Sequence, residues 1–190
     1  MVSSAVQIPD RLSLIAPEDL RLRRQSRAVA RVDGEIRRLA AMMLELMRRE
    51  QGIGLAAPQT GVLLRVIVMD VSRYQAGTWP LALVNPAITA RRGGYESATE
   101  GCLSLPGIEA PVRRARQVRV TAQETDGVPV VLEATGLQAR VLQHEIDHLN
   151  GLLFIDRVSR LERWRLRSAL TKLSLRPVAT PPVGVAPTVL

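Results

Sequence analysis

The chain has 190 residues, 46% of them hydrophobic and 23% charged, and a formal net charge of +8. It is long enough for one domain with a buried core, and it holds no apolar run near the roughly 18 residues of a membrane-spanning helix. One cysteine excludes an intramolecular disulfide, and 3% aromatic residues with no recognition motif argue against sequence-specific nucleic-acid reading.

Residues 1–15 are expected to be loosely ordered. The first thirty residues lack the apolar core of a secretory signal. They are Arg-rich, but Asp10, Glu18 and Asp19 speak against a transit segment, so a cytoplasmic location is expected, with an organellar one as the alternative. Asp33 is an N-cap for a helix running to Glu50, with Ile36, Leu39, Met43, Leu46 and Met47 on one face. Leu63–Met69 reads as a buried strand, and 81–84, 117–123 and 128–134 as further strands. Thr125-Asp126-Gly127 joins the last two as a hairpin turn. A second helix spans Leu137–Asn150 and stops at Gly151, and a third covers 157–175. Residues 177–190 are Pro-rich and read as a disordered tail beyond a single domain over 1–176. Hairpin strands alongside separate helices argue for an α+β fold.

The strongest chemical signal is His144-Glu145-Ile146-Asp147-His148. Two histidines four apart on a helix share one face and suit two adjacent positions on a metal, while Glu145 can reach a metal-activated water without ligating. A third ligand is needed. The longer zinc-protease pattern continues to Gly151 and then fails, because Phe154 stands where its third histidine belongs. Asp156 sits near the start of the last helix and Glu162 lies amid arginines; Cys102 lies between small and turn-forming residues, where a thiol beside a divalent cation deprotonates and ligates. The segment Gly52–Gln59 on its own reads as a turn, because no Gly-Lys-Ser/Thr follows to make a phosphate loop.

Together GIGLAAPQ, EGCLS and QHEIDHLNG, in this order and at these separations, resemble the signature segments of peptide deformylases, from about Pro17 to the end of the last helix. The resemblance implies removal of the N-formyl group from the initiator methionine of nascent chains. It implies antiparallel β-sheets packed around a central helix carrying HExxH, with one further helix at each end. It also implies Cys102, His144 and His148 as ligands of one divalent ion, usually Fe(II) with zinc as the alternative, and Glu145 as general acid/base. Gln59 and the Leu103 backbone N–H would hold the oxyanion. Gly54 would offer its backbone to the peptide and Ile53 would contribute from the first loop. Leu137 and Val141, seven and three residues before His144, share its helix face and can line a methionine pocket. Some members carry an arginine seven residues after the metal cysteine, where this chain has Glu109.

Arg157, Arg160, Arg163 and Arg167 recur as a basic stripe, and the resemblance implies a contact with ribosomal RNA through this last helix. Two rival readings are a zinc endopeptidase, for which Cys102 is incidental, and a non-catalytic ribosome-associated protein, against which the complete ligand set speaks.

Overall fold

The computed structural model describes residues 8–173; the expected tail at 177–190 lies outside them. Helix α1 (Gly34–Arg49) starts where Asp33 accepts hydrogen bonds from the Glu35 and Ile36 N–H groups, and it buries Ile36, Leu39, Ala40, Met43, Leu46 and Met47. Its three- and four-residue spacing makes the apolar face that sequence alone shows. Residues 8–15 form no helix or strand, yet Leu12 is buried in the cluster below α1 and the Ile15 N–H donates to the Gln59 carbonyl at 2.9 Å.

Five strands follow: β1 (Gly54–Ala56), β2 (Val66–Met69), β3 (Leu81–Gly101), β4 (Glu109–Gln123) and β5 (Pro129–Thr135). They form one antiparallel sheet in sequence order. The expected strands at 63–69, 117–123 and 128–134 are present with shifted ends, but the one at 81–84 is the start of a 21-residue strand. Its pairing with β4 shifts register between Val84 and Ala87, Ile88 and Ala90, and Arg92 and Tyr95, so its side chains never alternate cleanly for long. The 125–127 turn is as expected, with Gly127 at φ 90 and the Val128 N–H donating to Asp126 Oδ1 at 2.9 Å.

Helix α2 (Gly136–Leu149) carries both histidines. Thr135 does not cap it; Gln75, from the β2–β3 connection, accepts from the Gln138 N–H at 3.0 Å and donates to the Thr135 carbonyl at 3.3 Å. At the other end Gly151 adopts φ 72, and a Cβ there would lie 2.5 Å from the Arg23 carbonyl oxygen, so glycine is required on two grounds. Ala139, Leu142, Ile146 and Leu149 pack α2 against Val118, Val120 and Ala134 of the sheet. Residues Phe154–Asp156 form a 3-10 turn and α3 is Arg160–Lys172, so the expected helix at 157–175 begins three residues late, at the Ser159 cap.

One buried cation fastens α2 to the long hairpin. Arg114 on β4 donates from Nε and Nη2 to both Glu100 oxygens at 3.0 and 2.9 Å, and from Nη1 to Asp147 of α2 at 2.5 Å. Removing one partner of a buried ion pair costs about 3–5 kcal/mol, and the lower end applies here because Glu100 keeps Arg140 and Asp147 keeps Arg157. Arg114→Ala should lower the thermal midpoint by about 10 °C, read by circular dichroism, whereas an exposed pair such as Arg119–Glu133 should hardly matter when cut.

Candidate metal centre

Cys102 follows the last residue of β3, while His144 and His148 project one turn apart from α2, where the sheet and helix converge. The three offer one ligand atom each, all within 4.8 Å of one another, and they are the only such Cys/His/Asp/Glu group among the described residues. Cys102 Sγ lies 3.3 Å from His148 Nε2, and the histidine rings are 5.0 Å apart at 68°. Asp156 is fully buried against Arg23 and the Leu153 N–H, and Glu162 pairs with Arg165, so neither alternative third ligand reaches the histidines. Phe154 stacks on His144 with centroids 6.1 Å apart, as part of the core.

The surrounding charges orient the ligands. Glu100 Oε2 lies 3.0 Å from His144 Nδ1. Burial pushes the Glu100 carboxyl up, but hydrogen bonds from His144 and Arg114 outweigh it and hold the group at about 2. Glu100 is therefore an acceptor only and fixes a proton on His144 Nδ1. Burial lowers the ring's proton affinity, but hydrogen bonds with Cys102 and Glu100 outweigh it and hold the metal-free ring well above the usual histidine range, so binding a cation at Nε2 displaces a proton there. Arg140 donates to the same carboxylate at 2.8 Å. One thiolate and two imidazoles, with room for a fourth ligand on the groove side, fit a catalytic divalent ion.

Glu145 is 4% exposed, and its Oε2 has no hydrogen-bond partner. Burial is the main reason its carboxyl rises to about 7; the His144 charge opposes the rise and Glu100 adds to it. A Cβ on Gly54 would lie 2.3 Å from Glu145 Oε1 and 2.8 Å from Val141 Cγ1, so glycine makes room for the base. Gln59 is buried; its Oε1 accepts from the Ala56 N–H at 2.8 Å, which turns Nε2 toward Ser104 Oγ at 3.1 Å and Cys102 Sγ at 3.5 Å. The Gly52–Gln59 segment, read alone as a turn, thus holds β1 and the 3-10 turn Ala57–Thr60 against the ligands.

A cavity of about 640 Å³ opens on this cluster. Ile53, Gly54, Gln59, Cys102, Leu103, Leu137, Val141, His144 and Glu145 all line it, whereas His148 lies behind, 1% exposed. Sequence reading missed Glu100, Arg114 and Arg140; Glu100 stands inside EGCLS, but no local pattern marks the two arginines.

Two outcomes follow from this geometry. Glu100→Gln should weaken metal binding about 10- to 100-fold in chelator competition, because the amide no longer fixes the His144 tautomer. In metal-free protein the folded Glu145 binds its proton more tightly than the usual carboxyl at 4.5, so its contribution to stability falls as pH rises toward about 7. Metal-free Glu145→Gln should therefore be more stable than metal-free wild type in denaturant titrations at about pH 8, and the gain should vanish near pH 4.

Residues 12–164 match the family model described as polypeptide deformylase. A peptide deformylase of Alkalilimnicola ehrlichii is 49% identical over 162 residues, covering 85% of this chain and 90% of that protein. Peptide deformylase 2 of Gloeobacter violaceus is 50% identical over 137 residues, 72% of this chain and 73% of that one. Among solved structures, the Synechococcus elongatus peptide deformylase in complex with actinonin has a TM-score of 0.80 at 42% identity, covering 88% of this chain and 92% of that one. The chain belongs to the polypeptide deformylase family, whose members are metal-dependent enzymes that remove N-formyl groups from nascent peptides.

Proposed function

We propose that Cys102, His144 and His148 hold one divalent ion, Fe(II) in the native protein with zinc able to replace it, and that Glu145 is the general acid/base of deformylation. The observation that carries this reading is Glu145, buried with an unpartnered Oε2 and lining the cavity beside a Cys/His/His set. Imidazole and thiolate ligands suit both metals. When bound, the ion supplies Lewis acidity that activates a water at neutral pH.

The remaining chemistry belongs to side chains. Glu145 takes the proton of the water that attacks the formyl carbon, and a carboxyl whose burial raises its affinity for a proton can both accept and return it. The negative charge on the former carbonyl oxygen is met by Gln59 Nε2, which its Oε1 contact already aims into the site, and by the Leu103 backbone N–H. Glu145 then gives its proton to the leaving nitrogen as the C–N bond breaks, releasing formate and a free N-terminus. Ile53, Leu137 and Val141 supply an apolar wall for the methionine side chain, and Gly54 a backbone that the peptide can approach.

The catalytic unit is residues 1–176, acting in the cytoplasm where formylated chains emerge. No helix among the described residues is long and apolar enough to cross a membrane. We also infer that α3 carries the enzyme to ribosomes, with a narrower basic stripe than sequence suggests. Arg157 is outside the helix and holds Asp147 at 2.6 Å, and Arg163 donates to the Asp156 carbonyl at 3.2 Å, which leaves Arg160 and Arg167 as the exposed members. Reversing both charges should abolish a salt-sensitive co-sedimentation with ribosomes; retention would remove this role from α3.

Glu145→Gln should keep its metal while formate release from formyl-Met-Ala-Ser falls by about 10²–10⁴-fold, and Gln59→Leu should lower kcat by about 10²–10³-fold. Cleavage of internal peptide bonds without formate would contradict the assignment.

A further inference from the structure

Tyr74 is the only Phe, Tyr or Trp among the described residues that line the metal cavity, and it is 70% exposed. Its ring belongs to none of the three apolar clusters, and its hydroxyl makes no hydrogen bond among the described residues. The side chain therefore adds nothing to the packing of its own loop. A single exposed tyrosine on an open surface is ordinary. One held at the wall of a cavity by a loop fastened on both sides is not.

The connection between β2 and β3 is fastened in that way. At its start the Asp70 N–H donates to the Ile53 carbonyl at 2.9 Å. A tight turn follows, in which the Tyr74 and Gln75 N–H groups both donate to the Val71 carbonyl at 2.9 Å and Thr78 Oγ1 donates to the Gln75 carbonyl at 2.6 Å. Gln75 then grips the start of α2 through the Thr135 carbonyl and the Gln138 N–H, on either side of Leu137. A Cβ on Gly136 would lie 3.3 Å from Gln75 Oε1, so loop and helix are in close contact there. Tyr74 thus lies on a segment tied to Ile53 at one end and beside Leu137 at the other, and all three line the cavity.

We propose that Tyr74 is a specificity-determining residue, whose ring forms the outer wall of the methionine pocket and covers the substrate side chain from water. This rests on the deformylase reading above and on its placement of the pocket at Ile53, Leu137 and Val141. Val141 is buried and Ile53 and Leu137 are half-buried, so these three make the inner wall and the exposed ring the outer one. An aromatic ring suits a thioether in particular, because the polarizable sulfur is attracted to it. With only two side-chain torsions, tyrosine orders against a ligand at small entropic cost. The sulfur contact and the apolar area removed from water together amount to about three- to tenfold in kcat/KM.

The test compares kcat/KM for formyl-Met-Ala-Ser, formyl-norleucyl-Ala-Ser and formyl-Ala-Ala-Ser in wild type, Tyr74→Ala and Tyr74→Phe. Tyr74→Ala should lose about three- to tenfold on the methionine peptide, less on norleucine and nothing on alanine, whose side chain is too short to reach the ring. Tyr74→Phe should keep the wild-type values, because the ring rather than the hydroxyl makes the wall. Circular-dichroism melts and metal content should match wild type in both variants, since the side chain is exposed and remote from the ligands' hydrogen bonds. A merely structural defect in Tyr74→Ala would lower all three peptides by one factor. That result, an unchanged methionine/alanine ratio, or a phenylalanine variant that behaves like the alanine one overturns the proposal. Formate from all three peptides without a preference for methionine in wild type overturns the pocket placement, and the proposal with it, while deformylation stands. No formate from any of the three overturns the deformylase reading itself.

Discussion

The site depends on one buried guanidinium. Arg114 is 5% exposed and answers two carboxylates from different elements, Glu100 on β3 and Asp147 on α2. Glu100 in turn fixes the His144 ring, and Asp147 draws in Arg157 at the approach to α3. Cys102 comes from the strand side of this bridge and the histidines from the helix side, so their relative position follows from the ion network as much as from apolar packing. A buried pair adds little net stability compared with a well-packed apolar replacement. Its value here is positional: the planar fork of arginine sets angle and distance together.

Around that bridge, space is made where charge must be crowded. Gly54 lets β1 pass against Glu145, and Gly52 lets the turn after α1 lie on Leu103, two places where any Cβ would collide. The close approach desolvates Glu145 and raises its carboxyl toward neutrality. A carboxyl whose burial costs stability when it is charged is the one suited to proton transfer, a compromise expected of a catalytic site. The apolar stretch of the same cavity comes from Ile53, Leu137 and Val141, and its acidic rim from Glu50 and Glu109.

Much of this is legible in the sequence where the signal is local. The α1 face, the 125–127 turn, the glycine stop at 151 and the HExxH spacing each occupy a few consecutive residues and agree with the structure. The failure at Phe154 was informative, since that side chain belongs to the core beside His144. Features built by distant pairing were not legible. β3 extends to Gly101 through glycines and register shifts that hide its alternation. Arg114 and Arg140 look like any other arginine in an Arg-rich chain, because their partners lie 14 to 40 residues away. The basic stripe shrank for the same reason, since Arg157 is spent on Asp147 inside the protein.

The most direct measurement of the proposed thiolate-ligated centre is X-ray absorption at the metal edge of anaerobically purified, metal-loaded protein. One sulfur and two imidazole nitrogens in the first coordination sphere is the expected result, at about 2.3 Å for sulfur and 2.0–2.1 Å for nitrogen if zinc is bound. A shell of nitrogen and oxygen alone would contradict it, because Cys102 would then be no ligand.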